Sequence, residues 1–358
     1  ERVLKPRVRE AVEEVLGRLL EETDYAREAR NMERFAAAYA AGGSARLPPP
    51  GVLVPRPLRH LCTPRVLVMD WIEGERLSGG SGAEPGADLP LLRLGVACTL
   101  AQLLDVGLLH ADPHGGNLLR APGNRLAYVD FGLVAEVPQQ VRDGLVCAVV
   151  YLVAGEYALI AALFEDLLLL PPGALEAEGE REAFAEALAA AARAVLVVPE
   201  LGPGAGGQVP GLRFERLLAA LSALAGRFAF ELPPYFVNNA RALATLEGLA
   251  KRADPAFNML QEVYSFCLPR LFRAASPRVA EALRAVTARR PPAADGRWEV
   301  DLGRVASLLR TAAALAGVSR AALLLDALRT SGGRAFALAC ARTALTQALK
   351  PLANLFRF

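Results

Sequence analysis

His110-Ala111-Asp112-Pro113-His114-Gly115-Gly116-Asn117, followed shortly by Asp130-Phe131-Gly132, is the stretch that decides the reading of this chain. Asp112 and Asn117 can share one loop because the connection turns at Pro113 and at Gly115-Gly116. Leu126-Ala127-Tyr128-Val129 reads as the strand that carries Asp130 back alongside them. Two carboxylates and an amide oxygen brought together in this way suit Mg²⁺, a hard cation that takes oxygen ligands. The blander reading is that Asp112-Pro113 only starts a turn and Asp130-Phe131-Gly132 only ends a strand. Either feature alone is common; the two in register are not. In phosphoryl transfer this spacing gives Asp112 the task of orienting or deprotonating the acceptor, and gives Asn117 and Asp130 the metal ions.

His110 and His114 admit another reading. His-x-Asp-x-His offers nitrogen and oxygen ligands for zinc or iron, so His110, Asp112 and His114 together suggest a metallohydrolase. The chain has only 3 histidines, however, and His60 lies far off in a Pro/Arg-rich connection. A metal site of this kind has to recruit remote carboxylates. A histidine two before a loop aspartate also fits phosphotransfer loops, where it packs and supports the loop.

Composition sets outer limits. The 358 residues are enough for about two domains with a sizeable core. With 40 Lys and Arg against 38 Asp and Glu, the net charge of +2 gives no global attraction to nucleic acid, and no nucleic-acid partner is expected. Cys62, Cys98, Cys147, Cys267 and Cys340 are scattered and never spaced as C-x-x-C. They read as small core hydrophobes in a reducing compartment. No segment reaches the ~18 uninterrupted apolar residues of a membrane span. A chain that begins at Glu1 reads as a fragment or processed form, without targeting information.

Residues 8–39 have helix-forming composition and end at Pro48-Pro49-Pro50-Gly51. The β-rich runs 51–55 and 65–71 read as a strand pair, and Ser78-Gly79-Gly80-Ser81-Gly82 as a flexible loop. Those glycines neither follow a strand directly nor open a helix, so a phosphate cradle is not expected there. An amphipathic helix over 91–106 delivers the chain to His110. Helices are then predicted over 139–153, 157–168, 175–197, 212–228, 234–252 and 257–274. The run Arg289-Arg290-Pro291-Pro292 marks a linker before about three Ala/Leu-rich helices.

A second charged cluster is Glu21-Glu22-Thr23-Asp24-Tyr25-Ala26-Arg27-Glu28. Periodicity alone favours a solvated helix face, since Glu22 and Glu28 point to different sides of one helix. The order of motifs along the whole chain changes that weighting. Glu-x-Asp-Tyr-x-x-Glu-Ala-x-Asn spans Glu22 to Asn31, and Val66-Leu67-Val68-Met69-Asp70-Trp71-Ile72-Glu73-Gly74 follows. Gly107-Leu108-Leu109-His110-Ala111-Asp112-Pro113-His114 and Asp130-Phe131-Gly132 come next. In this order they resemble the UbiB-like (ADCK) family of atypical, kinase-like proteins, over roughly residues 8–275. Phe230-Glu231-Leu232-Pro233-Pro234-Tyr235 and Leu246-Glu247-Gly248-Leu249-Ala250 are most similar to its plastid and cyanobacterial branch.

The resemblance implies a mostly helical α+β, protein-kinase-like fold. Residues 1–77 are then a truncated N-terminal lobe with a helix C, strand pair and hinge, and 78–90 a linker. A helical C-terminal lobe over 91–275, a linker over 276–298 and a helical tail over 299–358 complete it. Glu28 is implied to be the helix-C glutamate that pairs with a nucleotide-binding lysine, and Glu22 and Asp24 an acidic motif near the metal. Met69 is implied at the back of an adenine pocket, with backbone groups of Asp70 and Ile72 at the adenine edge. The implied cofactors are ATP or ADP and Mg²⁺. The implied role is an atypical kinase or ATPase supporting prenylquinone or lipid metabolism, with lipid-pathway partners and a peripheral membrane or lipid-droplet surface. The implied location is the chloroplast, at plastoglobules or thylakoids, with mitochondrial or bacterial alternatives.

Two departures from the family pattern stand out. Gly115 stands where the family usually has proline. The K-x-G-Q motif, the Ala-rich loop and the lysine-bearing strand have no counterpart in this sequence, and Lys5 precedes Glu28 too closely to replace the lysine. A catalytically impaired, nucleotide-binding pseudokinase scaffold is therefore the alternative. Glu136-Val137-Pro138 leaves little activation segment for a peptide, which argues against a protein substrate.

Overall fold

The computed structural model of the protein describes residues 23–40, 51–77, 88–110, 112–175, 179–197, 209–228, 232–289 and 299–355. It falls into two compact units, one of Glu1–Val137 with Pro234–Phe257, the other of Pro138–Pro233 with Asn258–Phe358. Glu22 and the Ser78–Gly82 loop lie outside the described residues.

The first unit carries every element around His110. Helix α1 (Tyr25–Ala40) begins where the Asp24 carboxylate accepts the Ala26 N–H at 3.0 Å, an N-cap interaction. Its Ala29, Met32 and Phe35 recur at helical spacing and are buried. After β1 (Val52–Leu53) and β2 (Glu75–Arg76), helix α2 (Leu89–Ala101) runs into a π-helical turn, Gln102–Val106, closed by Gly107 at φ 76°. Four strands follow: β3 (Leu108–His110), β4 (Leu118–Ala121), β5 (Arg125–Tyr128) and β6 (Val134–Glu136). One sheet has the order β1-β5-β4-β2, and β3 pairs antiparallel with β6. The β4–β5 turn takes positive φ at Gly123 (75°) and Asn124 (54°), residue types that tolerate the left-handed region.

The expected pairing of 51–55 with 65–71 does not form. Strand β1 lies parallel to β5, with Val52 opposite Leu126 and Leu53 opposite Ala127. Residues 65–71 fold back on 56–63 instead: Leu58 donates to the Val68 carbonyl at 2.8 Å and Asp70 to that of Arg56 at 3.0 Å. A 3₁₀ turn at Arg59–Leu61 lies between them. Both runs found backbone partners, but not each other.

The stretch Leu89–Val106 is long and apolar enough to cross a membrane, with mean hydropathy 1.5 over 18 residues. It carries Arg93 and Asp105, and 61% of it is buried inside the protein. It packs along the helix Pro234–Ala253, where Leu246 lies against Gly95, so it reads as the core helix of this unit. That returning helix is why Pro234–Phe257 belongs to the first unit.

The second unit is built of helices. Gln139–Ala154 packs on Met259–Arg273 and Pro277–Thr287; Tyr157–Ala161, Glu180–Val195, Phe214–Ala225, Leu302–Ala316, Arg320–Ala327 and Ser331–Leu355 are its other helices, and Leu196–Val197 pairs with Gly211–Leu212 as a short antiparallel ladder. Two expectations are corrected here. The helix expected over 157–168 stops at Ala161, where the Leu163 and Phe164 N–H groups turn to the carbonyls of Ile160 and Ala161 three residues back, and the turns that follow end at Leu168 with φ 54°. The linker expected over 276–298 contains a helix, Pro277–Thr287, with Ser276 accepting the Val279 N–H at 3.3 Å, proline at its start, and Val279, Leu283 and Val286 buried.

Candidate active site

The catalytic-loop residues are held in place by backbone bonds within the loop. Asn117 donates its main-chain N–H to the His114 carbonyl at 2.8 Å, and its own carbonyl accepts from Val129 at 3.1 Å. The buried Asn117 side chain donates Nδ2 to the Asp112 carbonyl at 3.2 Å. That bond fixes the amide so that its oxygen is the atom left to serve a cation. Gly115 closes the loop against Leu77: a Cβ there would run into the Leu77 carbonyl oxygen. The glycine in place of the family's proline is therefore what this approach requires.

His110 supports the loop from inside the fold. It is 2% exposed, its backbone N–H donates to Gln102 Oε1 at 2.8 Å, and its Nε2 bonds the Asp130 carbonyl. Its Nδ1 accepts the Asp112 N–H at 3.4 Å, so the ring is neutral with the proton on Nε2. Burial holds the imidazole below its ordinary value. The ring packs edge-on to Phe35 and Phe131 at 6.1 and 5.4 Å between centroids, with Tyr128 at 5.2 Å. With both nitrogens engaged, His110 has none left for a metal, and His114 Nδ1 accepts the Gly116 N–H at 3.0 Å. Among the described residues no group of three or more His, Cys, Asp or Glu could hold a metal ion. The metallohydrolase reading thereby loses His110 as a ligand.

Helix α1 grips the Asp130-Phe131-Gly132 turn by both backbone polar groups of one residue. Glu28 Oε1 accepts the Phe131 N–H at 3.1 Å, and Asn31 Nδ2 donates to the Phe131 carbonyl at 2.9 Å. Both side chains are buried. Burial raises the Glu28 carboxyl above its ordinary value; the Phe131 N–H offsets part of that rise, and the neighbouring Asp130 adds a lesser one. Asp130 itself is exposed, with Oδ1 accepting the Gly132 N–H at 2.9 Å.

Glu28, Asp112 and Asp130 line one cleft of about 550 Å³, together with Tyr25, Leu67 and His110. Asp24 does not join them; it caps α1 and lies 3.6 Å from Arg30. Met69, Asp70 and Ile72 do not border this cleft, where Leu67 does. Met69 bridges to Pro57, and Asp70 Oδ2 lies 3.6 Å from Arg56 Nε. Sequence reading gave no role to Asn31 or Gln102. Asn31 stands one turn beyond Glu28 on the same helix face, a spacing that could have revealed it. Gln102 carried no such signal.

Residues 2–164 match the model of the ABC1 atypical kinase-like domain. This part of the chain belongs to the ABC1 atypical kinase-like family. The ABC1 assignment bears out the resemblance drawn from the motifs. The chain is 35% identical over 273 residues to a chloroplastic aarF domain-containing protein kinase of Arabidopsis thaliana, covering 76% of this chain and 36% of that one. It is 33% identical over 277 residues to the chloroplastic protein Activity of BC1 complex kinase 3 of the same plant, with the same shares. A Synechocystis protein of uncharacterised role is 34% identical over 274 residues, covering 76% and 37%. The chain thus spans little more than a third of the length of these ABC1 relatives, which are chloroplastic or cyanobacterial. A solved Mycobacterium tuberculosis protein, in complex with erythromycin, aligns with TM-score 0.41 and 20% identity over 70% of this chain and 62% of that one.

Proposed function

We propose that this chain supplies the metal-binding and acceptor-binding part of an Mg-ATP-dependent atypical kinase or ATPase. The observation that carries the reading is the double grip of Glu28 and Asn31 on Phe131. It presents the Asp130 carboxylate to the cleft that Asp112 also lines. The hard oxygens suit magnesium: carboxylates of Asp112 and Asp130 line the cleft, and buried Asn117, which does not line it but is tied to Asp112 by its Nδ2, would add an amide oxygen. When bound, Mg-ATP supplies the phosphoryl group and the positive charge that offsets its negative oxygens. Asp112, half exposed to the cleft, is the group to orient an acceptor and take its proton. His110, neutral and bonded to both Asp112 and Asp130, positions the two carboxylates.

Strand β6 begins two residues after Gly132 and pairs at once with β3. This leaves little open platform for a peptide between them, which supports a small-molecule acceptor; that the acceptor belongs to prenylquinone or lipid metabolism rests on the family resemblance. Lipid-pathway partners, a peripheral lipid surface and a plastoglobule or thylakoid site in the chloroplast follow from the same reading. One observation favours the pseudokinase alternative: buried Glu28 has no cationic partner among the described residues.

Thermal stabilisation by Mg-ATP tests both. Wild type should be stabilised, and Asp130→Asn, which keeps the Oδ1 acceptor for Gly132, should not. No stabilisation of the wild type, or equal stabilisation of the variant, would sink the metal-nucleotide reading. Stabilisation without phosphate release, unaltered by Asp112→Asn, would make the protein a scaffold.

A further inference from the structure

We propose that a second hollow, on the Gly115–Gly116 side of the catalytic loop, binds the anionic group of a small phosphorylated or carboxylated ligand. The hollow has a volume of about 490 Å³, and Gly115 and Gly116 form one wall. Residues 244–252 of the returning helix and Arg76-Leu77 at the end of β2 supply the rest. All of these belong to the first compact unit. The size suits a small ligand rather than a single ion.

Two independent observations support the site, the first pointing to an anion and the second to space kept open for a ligand. The first is charge. The neighbouring basic groups are already paired: Arg120 with Asp88, and Lys251 Nζ with Glu247 Oε1 at 2.5 Å. Arg76 and Arg252, both lining the hollow, have no ion-pair partner among the described residues. Two guanidiniums at one concavity, without carboxylate partners among the described residues, form a focused positive field, and their planar forks match carboxylate and phosphate oxygens. Leu77 and Leu249 supply an apolar wall beside them, and Thr245 a hydroxyl.

The second observation is Gly248, inside the helix Pro234–Ala253. A glycine in a helix interior is less favourable than alanine by roughly 0.5–1 kcal/mol, so it needs a reason. At Gly115 and Gly116 the reason is local, since a Cβ would strike the Leu77 carbonyl and the His114 ring. At Gly248 a Cβ would meet nothing within 4 Å, and the residue lines the hollow. Its missing side chain keeps space open. A ligand there rests against Gly115 and Gly116, in the loop that carries Asp112 and Asn117.

The shared chemistry has two sources, a soluble phosphate compound or a lipid headgroup, and two probes separate them. Inorganic pyrophosphate, titrated without Mg²⁺, should raise the melting temperature of wild type and of Asp130→Asn alike. Vesicles of anionic phospholipid, compared with phosphatidylcholine vesicles, read the headgroup by co-sedimentation. Arg76→Gln with Arg252→Gln should weaken whichever probe binds at least tenfold. Gly248→Leu, which fills the hollow and favours the helix, should do the same while leaving melting without ligand unchanged or higher. Response to pyrophosphate supports a soluble ligand, and response to anionic vesicles alone supports a headgroup, each provided that both variants abolish it. No response of wild type to either probe, or equal response of the variants, overturns the site; loss in Asp130→Asn assigns the binding to the cleft and overturns it as well.

Discussion

Glu28 is the residue on which the site's geometry and its electrostatics pull in different directions. Its Oε1 satisfies the buried Phe131 N–H, yet its charge is buried beside Asp130. Removing the acceptor leaves that N–H unpaired, so Glu28→Ala should destabilise the protein by roughly 1–3 kcal/mol in denaturant titrations. Glu28→Gln keeps an oxygen for Phe131 and should cost much less. The pH dependence follows from the raised value. The folded chain holds this proton more tightly than the unfolded chain does. The resulting stability is complete below the ordinary carboxyl value of 4.5 and is lost as the pH rises through the raised one. Glu28→Gln has no proton to lose, so its melting temperature should gain on wild type as the pH is raised from below 4.5 toward neutrality. A constant difference would mean that Glu28 is not desolvated. Asp112, Asn117 and Asp130 were legible in the sequence from residue type and spacing, and Glu28 only through the family resemblance. The grip of Asn31 and the support of Gln102 were not, since each acts through a single contact far along the chain.

At the scale of elements, the strongest local signals held and the long-range ones did not. The helices at Gln139–Ala154, Pro234–Ala253 and Met259–Arg273 lie within a residue or two of their periodic patterns. The parallel partner of β1 lies more than seventy residues away, and no short-range pattern of two β-rich runs could disclose it. The helix Pro277–Thr287 went unread because the Arg-Arg-Pro-Pro signal beyond it drew the boundary too early, although Ser276-Pro277 is itself a start signal. Ser276→Ala removes the cap and should cost about 1 kcal/mol of stability. Ser276→Asp, which preserves an acceptor, should restore it in the same denaturant titration. If both variants match wild type, the cap contributes nothing.

At the scale of the molecule, the main fact hidden from the sequence is that its first compact unit is discontinuous. The helix Pro234–Ala253 reads in sequence as one helix among many, yet it covers α2 and belongs with residues that precede it by more than a hundred positions. A polypeptide of residues 1–137 alone should therefore unfold without a cooperative transition. The same residues joined by a flexible linker to 234–257 should melt cooperatively by circular dichroism. Cooperative melting of 1–137 alone would show that the returning helix is dispensable. The arrangement also dictates a timetable. On the ribosome all of Pro138–Pro233 must be polymerised before the covering helix exists, and at about 5–20 residues per second the delay is on the order of five to twenty seconds. Through that interval the apolar flank of α2, with Leu92, Val96 and Leu100, is a nascent-chain segment without its cover. It is where a chaperone that reads exposed apolar helix would engage this protein during its synthesis.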